Sequence, residues 1–423
     1  MERRVLSSEL TLVDGTGDQE RCFGAAFSVI EQAISRRAFP GASLAVTLGE
    51  KLVAWRGFGR FTYEAGAPAV TRETVWDLAS LTKVLATTSM AMLLVERGRL
   101  PLDARVEELL PEYCSPPAGS QSRAVEVEGS LSPHMSKEGI CGPPEAQSRA
   151  VEVEGSLSPH MPKEGICGPP EASLVTVRML LAHSAGLPAH RKLYLDAQGR
   201  EAILASARRV PLETAPMARA EYSDIGFIIL GELLERVAGK RLDAFCAEEV
   251  FGALKLNLRF VAQPTVIDGV PPTVNDLEYR GRVVQGEVND ENASAMGGVA
   301  GHAGLFGDAL SVSRFAQCML GGGAPVFRAK TVELFTRREE RPEGTSRALG
   351  WDTPSRPSQS GTRFSARSFG HLGYTGTSLW CDPERGLSVT LLTNRTWPDA
   401  RNQAIKEVRP AVHDAIVRAL ENE

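Results

Sequence analysis

The sequence predicts an α+β protein: one antiparallel sheet built from both ends of the chain, flanked by helices, with an all-helical subdomain inserted between them. Three observations lead to this. Strand-like runs occur near the start (42–59) and again near the end (367–394). The stretch between is dominated by apolar residues at helical spacing. Regular strand–helix alternation is missing, which counts against a doubly wound parallel sheet.

The elements follow in order. Residues 22–37 read as a helix. "ASLAVTL" (42–48) and "LVAWRGFG" (52–59) read as two strands joined by a tight turn at 49–50. From 78 to 97 the positions Leu81, Val84, Leu85, Thr88, Met92 and Val95 recur at helical spacing, and Gly98 closes the run. Further helices are expected over 176–183, 199–208, 224–238, 241–252, 308–320 and 328–338. "RSFGHLG" (367–373), "TSLWCD" (377–382) and "LSVTLLTN" (387–394) then read as strands, with a turn at 383–386 and a last helix over 402–421. A sheet subdomain of about 20–75 and 345–423 and a helical subdomain of about 80–340 result, together forming one catalytic domain.

One segment stands outside this scheme. "QSRAVEVEGSLSPHMSKEGICGPPEA" is followed at once by a second copy in which Pro162 replaces Ser136. Two copies rich in Ser, Pro, Gly and Glu cannot bury a core, so residues 115–172 are expected to be a disordered insertion.

The 423 residues, 43% hydrophobic and 23% charged, are an ordinary globular mixture with ample length for a large core. A formal net charge of −5 argues against broad nucleic-acid or anionic-membrane binding. The first residues hold no apolar run of signal-peptide length, and no run approaches the ~18 residues of a membrane span. A soluble, cytoplasmic protein is the expectation. Seven scattered cysteines without a C-x-x-C favour reduced thiols over a disulfide framework or a zinc site.

Three stretches carry chemistry. In "DLASLTKVLATTSM" (77–90), Ser80 and Lys83 lie three apart at a helix start and would share a face. A serine is a poor nucleophile until a neighbouring base takes its proton, and an amine at that spacing is suitably close. The helix start adds free N–H groups and a positive dipole end. Alone, the pair is equally a plain helix cap with a solvated lysine. In "AEYSDIGFIILGELLERVAG" (220–239), Tyr222 precedes an apolar helix that would fix it. A nearby ammonium would lower its pKa from the usual 10 and let the phenol relay a proton. Here Ser223 or Asp224 could equally be a helix cap. In "FGHLGYTGTSLWCDPE" (369–384), His371, Gly373 and Gly376 open a strand pair whose glycines permit close approach of a substrate. A backbone N–H just beyond Gly373 could bind an oxyanion.

Ser-x-x-Lys, then Tyr-x-Asp, then His-x-Gly, in this order, resembles the β-lactamase and penicillin-binding serine hydrolase superfamily. The likeness is to its class C-like branch of esterases and D-aminopeptidase-type enzymes. It extends to "FPGASLAV", "LLAHSAGLP" (180–188) and "ENASAMGGVAGHAGLF" (291–306). The resemblance implies that Ser80 is acylated, that Lys83 tunes proton transfer and that Tyr222 is the general base. It places the oxyanion in the backbone N–H groups of Ser80 and Tyr374, with Asp224, His371 and Gly373 binding substrate. No metal or organic cofactor is implied.

Two departures narrow the substrate. Asp224 stands where the family uses Asn, exchanging an amide donor for a carboxylate. Leu372 removes a hydroxyl the family uses to hold an anionic group, and a mostly neutral His371 is a weaker anion anchor than lysine. Both favour small neutral esters over β-lactams and D-alanyl carboxylates. The expected function is a carboxylesterase-type hydrolase. The alternatives are β-lactamase or D-alanyl peptidase activity, or an inactive binding protein of the same fold. "AHSAG" (182–186) nearly matches an α/β-hydrolase nucleophile elbow around Ser184, but that elbow needs a strand before the serine. "GGVAGHAGLFG" (297–307) lacks the pattern of a phosphate cradle and reads as a turn lining the cleft.

Overall fold

The computed structural model describes residues 12–113 and 170–421. The duplicated segment, expected to be disordered, lies almost wholly outside them. Its last residues open the 3₁₀ turn Pro170–Leu174.

Four strands come early in the chain: β1 (Val13–Asp14), β2 (Gly41–Leu48), β3 (Lys51–Gly59) and β4 (Trp76–Asp77). The middle of the chain holds β5 (Leu258–Phe260), β6 (Val274–Asp276), β7 (Arg282–Val284) and β8 (Leu305–Gly307). Near the end come β9 (Phe369–Leu372), β10 (Ser378–Asp382) and β11 (Leu387–Thr393).

The main sheet runs β1-β3-β2-β11-β10-β9, so strands from the two chain ends meet at its centre. There β2 and β11 pair antiparallel from Ala42↔Thr393 to Leu48↔Leu387. This is the α+β sheet the sequence predicts. It differs at one edge, where the two-residue β1 lies parallel to β3.

Both faces of the sheet are covered, which is why its strands read as near-continuous apolar runs and not as alternation. One face packs on helices Gln19–Ser35 and Ile405–Glu421, joining Phe27, Ile30, Leu44, Val46, Val389, Leu391, Val412 and Ile416 in one core. The other face packs on helix Ala309–Leu320, where Ala45, Leu379, Leu392 and Phe315 belong to a second core. Hydroxyls on that face are paired: Thr47 with Ser388 at 2.6 Å, and Ser313 donating to Thr390 at 3.0 Å.

The intervening region is mainly helical but holds four short strands that the sequence reading leaves out. β8 pairs with both β4 and β5, and β6 pairs with β7. Strands of three residues are too short to show a period of two. Their pairing is nonetheless consequential, because β4–β8 brings the 301–304 loop beside the stretch 78–83.

That stretch also departs from the single helix expected over 78–97. It opens with three successive i→i+3 bonds, Leu81 N–H to Leu78 O, Thr82 to Ala79 and Lys83 to Ser80, all at 3.0 Å. The winding then widens through the π turns Lys83–Thr88 before the α-helix Ser89–Glu96. In a 3₁₀ turn the side chains at i and i+3 eclipse, so this entry aligns Ser80 with Lys83 better than an α-helix would.

The nucleophile-elbow alternative falls here. Ser184 is buried and follows helix Val177–Leu181, not a strand.

Candidate active site

Ser80 is held by the turn in front of it. Ala79 has a positive φ of 47°, a strained value for a residue with a side chain. The buried Asp77 stabilises it: Oδ1 accepts the Ala79 N–H at 2.8 Å, and Oδ2 accepts the Asn289 N–H at 2.6 Å. Burial pushes the Asp77 carboxyl up to about 6, against those two N–H bonds.

Two groups converge on the Ser80 hydroxyl. Lys83 Nζ donates to Oγ at 3.0 Å, and the Tyr222 hydroxyl donates to it at 2.7 Å. Tyr222 arrives from 142 residues away because Ser223 caps the helix Asp224–Ala238, accepting the Gly226 N–H at 3.1 Å. The Tyr222 ring leans on His183, whose centroid is 4.8 Å away and whose Nδ1 accepts the Ser223 N–H. Burial holds the phenol well above its usual value, and the Asp224 carboxylate adds to this. This corrects the expectation that a nearby ammonium would lower it. Lys83 Nζ sits 4.8 Å over the ring face, yet burial dominates.

Lys83 is fully buried and its three donors are all used: on Ser80 Oγ, on Asp224 Oδ1 at 2.7 Å and on the His302 carbonyl at 3.1 Å. The carbonyl is within reach because the 301–304 loop packs tightly on the helix, where a Cβ at Gly301 would stand 2.2 Å from Phe227 O. Burial pulls the amine below its usual value while Asp224 opposes. For Asp224 burial works upward, but Lys83 and His190 hold it well below the carboxylate range. We read the pair as ammonium and carboxylate, since a 2.7 Å contact between partners of opposite charge favours both charged forms.

The third stretch closes the site from the sheet edge. Thr375 and Thr377 donate to the carbonyls of Asp77 and Leu78 at 2.9 and 3.0 Å, clamping the β9–β10 turn to the serine turn. Gly373 is required there, because a Cβ would stand 1.9 Å from Thr377 Oγ1 and 2.8 Å from Leu78 O. The Tyr374 N–H and the Ser80 N–H have no acceptor among the described residues. His371 is buried on β9 and burial pushes it down to about 3, so it is neutral. Its Nδ1 lies 2.8 Å from the Leu372 carbonyl, which leaves Nε2 as an unpartnered acceptor.

Ser80, Tyr222, Asp224, His371, Gly373 and Tyr374 line one cleft of about 750 Å³. The structure thus brings together Ser80, Tyr222, Asp224, His371, Gly373 and Tyr374, with Lys83 beneath Ser80. Asp224 differs from the reading because its carboxylate is engaged by Lys83, as Tyr222 does because burial raises its phenol.

Sequence reasoning missed Asp77, His190, Asp290, His302 and Arg347. Asp77 and His302 sit inside stretches quoted above, but nothing in their spacing signals a role. Arg347 lies over the Tyr222 ring at 5.6 Å and is paired with Asp352. His190, Asp224 and Asp290 place donor atoms within 4.8 Å of one another, a spacing a divalent ion could bridge. Both carboxylates are already matched, Asp224 by Lys83 and Asp290 by His302 Nε2 at 2.8 Å. The cluster is therefore read as a charge network.

A family model described as beta-lactamase matches residues 26–412. The chain belongs to the beta-lactamase family. It is an enzyme of the serine hydrolase class that this family shares with its penicillin-binding relatives. It is 27% identical over 405 residues to the N-acetylmuramyl-L-alanine amidase of Bacillus subtilis (strain 168), covering 86% of this chain and 80% of the relative. Two solved structures are similar in fold. One is EstCE1, a hydrolase with promiscuous acyltransferase activity, at TM-score 0.63 and 19% identity, covering 93% of this chain and 99% of that one. The other is a class C beta lactamase from Rhodobacter sphaeroides, at TM-score 0.64 and 17% identity, covering 94% and 99%. No helix among the described residues is long and apolar enough to cross a membrane.

Proposed function

We propose that the protein hydrolyses small neutral carboxylic esters through an acyl-enzyme on Ser80. The observation that carries this is the convergence of Lys83 Nζ and Tyr222 Oη on Ser80 Oγ, at 3.0 and 2.7 Å, beside two unengaged backbone N–H groups. In this reading Lys83, once neutral, takes the Ser80 proton as Oγ attacks the carbonyl carbon. The Ser80 and Tyr374 N–H groups receive the developing oxyanion. Tyr222, a phenol at rest, gives its proton to the leaving alkoxide and is left as phenolate. Water then enters, the phenolate takes its proton, and Oγ leaves with the proton held by Lys83. Tyr222 is thus an acid in acylation and the general base in deacylation.

Charge supports a neutral substrate. His371 is uncharged and Asp224 faces the cleft as a carboxylate. The cleft arginines are committed elsewhere: Arg347 to Asp352, Arg395 to the Tyr374, Ala400 and Asn402 carbonyls, and Arg409 to those of Gly373 and Thr377. Arg395 and Arg409 keep their charge, because carbonyls do not neutralise it, but the N–H groups that bond those carbonyls are already used.

One observation favours a second reading, amide hydrolysis. His371, in the wall of the same cleft as Ser80, holds a buried acceptor, Nε2, that has no partner, and a relative is named an amidase. A panel of short p-nitrophenyl esters, nitrocefin, and acetylated and D-alanyl peptides separates the two. Fastest turnover of the esters is the expected result. Peptide turnover exceeding that of the esters would favour the amidase reading, and nitrocefin turnover equal to that of the esters would overturn the charge reasoning.

A further inference from the structure

Lys83 can accept the Ser80 proton only after losing one of its own, and its surroundings restrict where that proton can go. The side chain has no exposure to solvent, and all three donors are engaged. Ser80 is the group to be deprotonated, and the His302 carbonyl cannot take a proton at neutral pH. Asp224 Oδ1 is the remaining exit.

The other oxygen of Asp224 faces His190, whose Nδ1 is 3.7 Å away. This placement is built into the chain. The Asp224 N–H donates to the Ala189 carbonyl at 2.8 Å, and Ser223 Oγ donates to the Pro188 carbonyl at 2.6 Å. Segment 188–190 is therefore tied to the very residues that start the helix. Exposure rises along the series, from 0% for Lys83 through 17% for Asp224 to 39% for His190. His190 thus stands where the buried network meets the solvent of the cleft.

Resting on the reading that Ser80 is acylated with Lys83 as base, we propose that His190 is the proton reservoir of this site: through Asp224 it receives the proton that Lys83 must shed. In the step, Lys83 Nζ gives a proton to Asp224 Oδ1, the resulting neutral carboxyl turns its O–H toward an unprotonated His190, and that same proton passes to Nδ1 as the carboxylate re-forms. The sum is neutral Lys83, the Asp224 carboxylate and a His190 imidazolium, with no net change in protons. Ser80 then gives its proton to Lys83, and after deacylation the proton on His190 returns by the same route. His190 acts through Asp224 and touches no reacting atom, so it is a positioning residue.

The surrounding charges suit this role. Asp290 and Glu291 face His190 together with Asp224 and favour the imidazolium, and the Asp224 carboxylate raises the histidine from its usual value. On the far side Arg347 disfavours a proton on Lys83, Asp290 opposes it, and the neutral phenol of Tyr222 lies between. His302 is occupied by Asp290. Among the neighbours in sequence, Arg191 is paired with Glu213, while Lys192 is exposed in the cleft wall.

The test is the pH dependence of p-nitrophenyl butyrate hydrolysis by the full chain and by His190→Gln and His190→Ala. Without the reservoir, Lys83 must lose its proton to bulk solvent. The variants should lose about tenfold in kcat near pH 7, recover toward the wild-type rate above about pH 9, and keep KM unchanged. Added imidazole should restore part of the His190→Ala rate at pH 7. A wild type that is active, with variant profiles lowered equally at every pH or not lowered, overturns the proposal alone. A wild type that neither hydrolyses the ester nor reacts with a fluorophosphonate overturns the hydrolase reading and the proposal with it.

Discussion

Ser80 owes its position to side chains that never meet a substrate. Asp77 fixes the strained Ala79 turn from below through two N–H bonds, and its burial raises its own pKa to about 6 from an ordinary 3.8. A carboxyl whose folded value is raised stabilises the fold below the unfolded value, and that contribution is lost as pH rises through the folded one. Wild-type protein should therefore lose stability between pH 4 and pH 7 relative to Asp77→Asn. The amide variant gives up one acceptor at every pH, so the difference between the two pH values is the quantity to compare. Urea midpoints measure it, and parallel trends would remove Asp77 as the cause. Tyr222→Phe deletes the hydroxyl on Ser80 Oγ but keeps the ring packed on His183. A loss of about 10²- to 10⁴-fold in kcat with an unchanged melting temperature is expected, and full activity would exclude the phenol from proton handling.

Among the elements, the clamp between β9 and the serine turn decides whether the two N–H groups proposed to receive the oxyanion stand together. Gly373→Ala forces a Cβ into Thr377 Oγ1 and Leu78 O. The β9–β10 turn must then move away from Ser80. The expected outcome is a folded protein, judged by far-UV circular dichroism, with ester hydrolysis reduced at least about a hundredfold. Unchanged hydrolysis would mean that the clamp does not place the Tyr374 N–H. The long elements were legible in the sequence because their periods are long. Helix Asp224–Ala238 matches its expected span, with Ser223 as cap and Gly239 in the left-handed conformation as stop. β2, β3, β10 and β11 lie within a residue or two of their runs. The short strands β4–β8 were not legible, since two or three residues carry no periodicity and are fixed only by partners far away in the chain. The tight-then-wide winding of 80–88 was hidden for a similar reason: the apolar spacing there is compatible with an α-helix throughout.

At the scale of the whole molecule, the sheet joins the two chain ends, and the middle of the chain returns to it through the helix Ala309–Leu320 and through the site. Lys83 and Asp224 are 141 residues apart, and Lys83 and His302 are 219 apart. The motifs told which residues would gather, because their order in the chain resembles a family pattern. They did not tell the pairings made after gathering. Nothing in Tyr-Ser-Asp says that its carboxylate will hold Lys83 on one oxygen and face His190 with the other. Nor did the single letters of His190, Arg347 and Asp77 distinguish them from ordinary surface or core residues, since each gains its role from residues distant in sequence. The central claim is that this assembly makes Ser80 a nucleophile. Intact-protein mass spectrometry after treatment with a fluorophosphonate, with peptide mapping of the adduct, tests it most directly. One adduct per chain, mapped to Ser80 and absent in Ser80→Ala, is the predicted result; an adduct that persists in Ser80→Ala, or maps to Ser184, would contradict it.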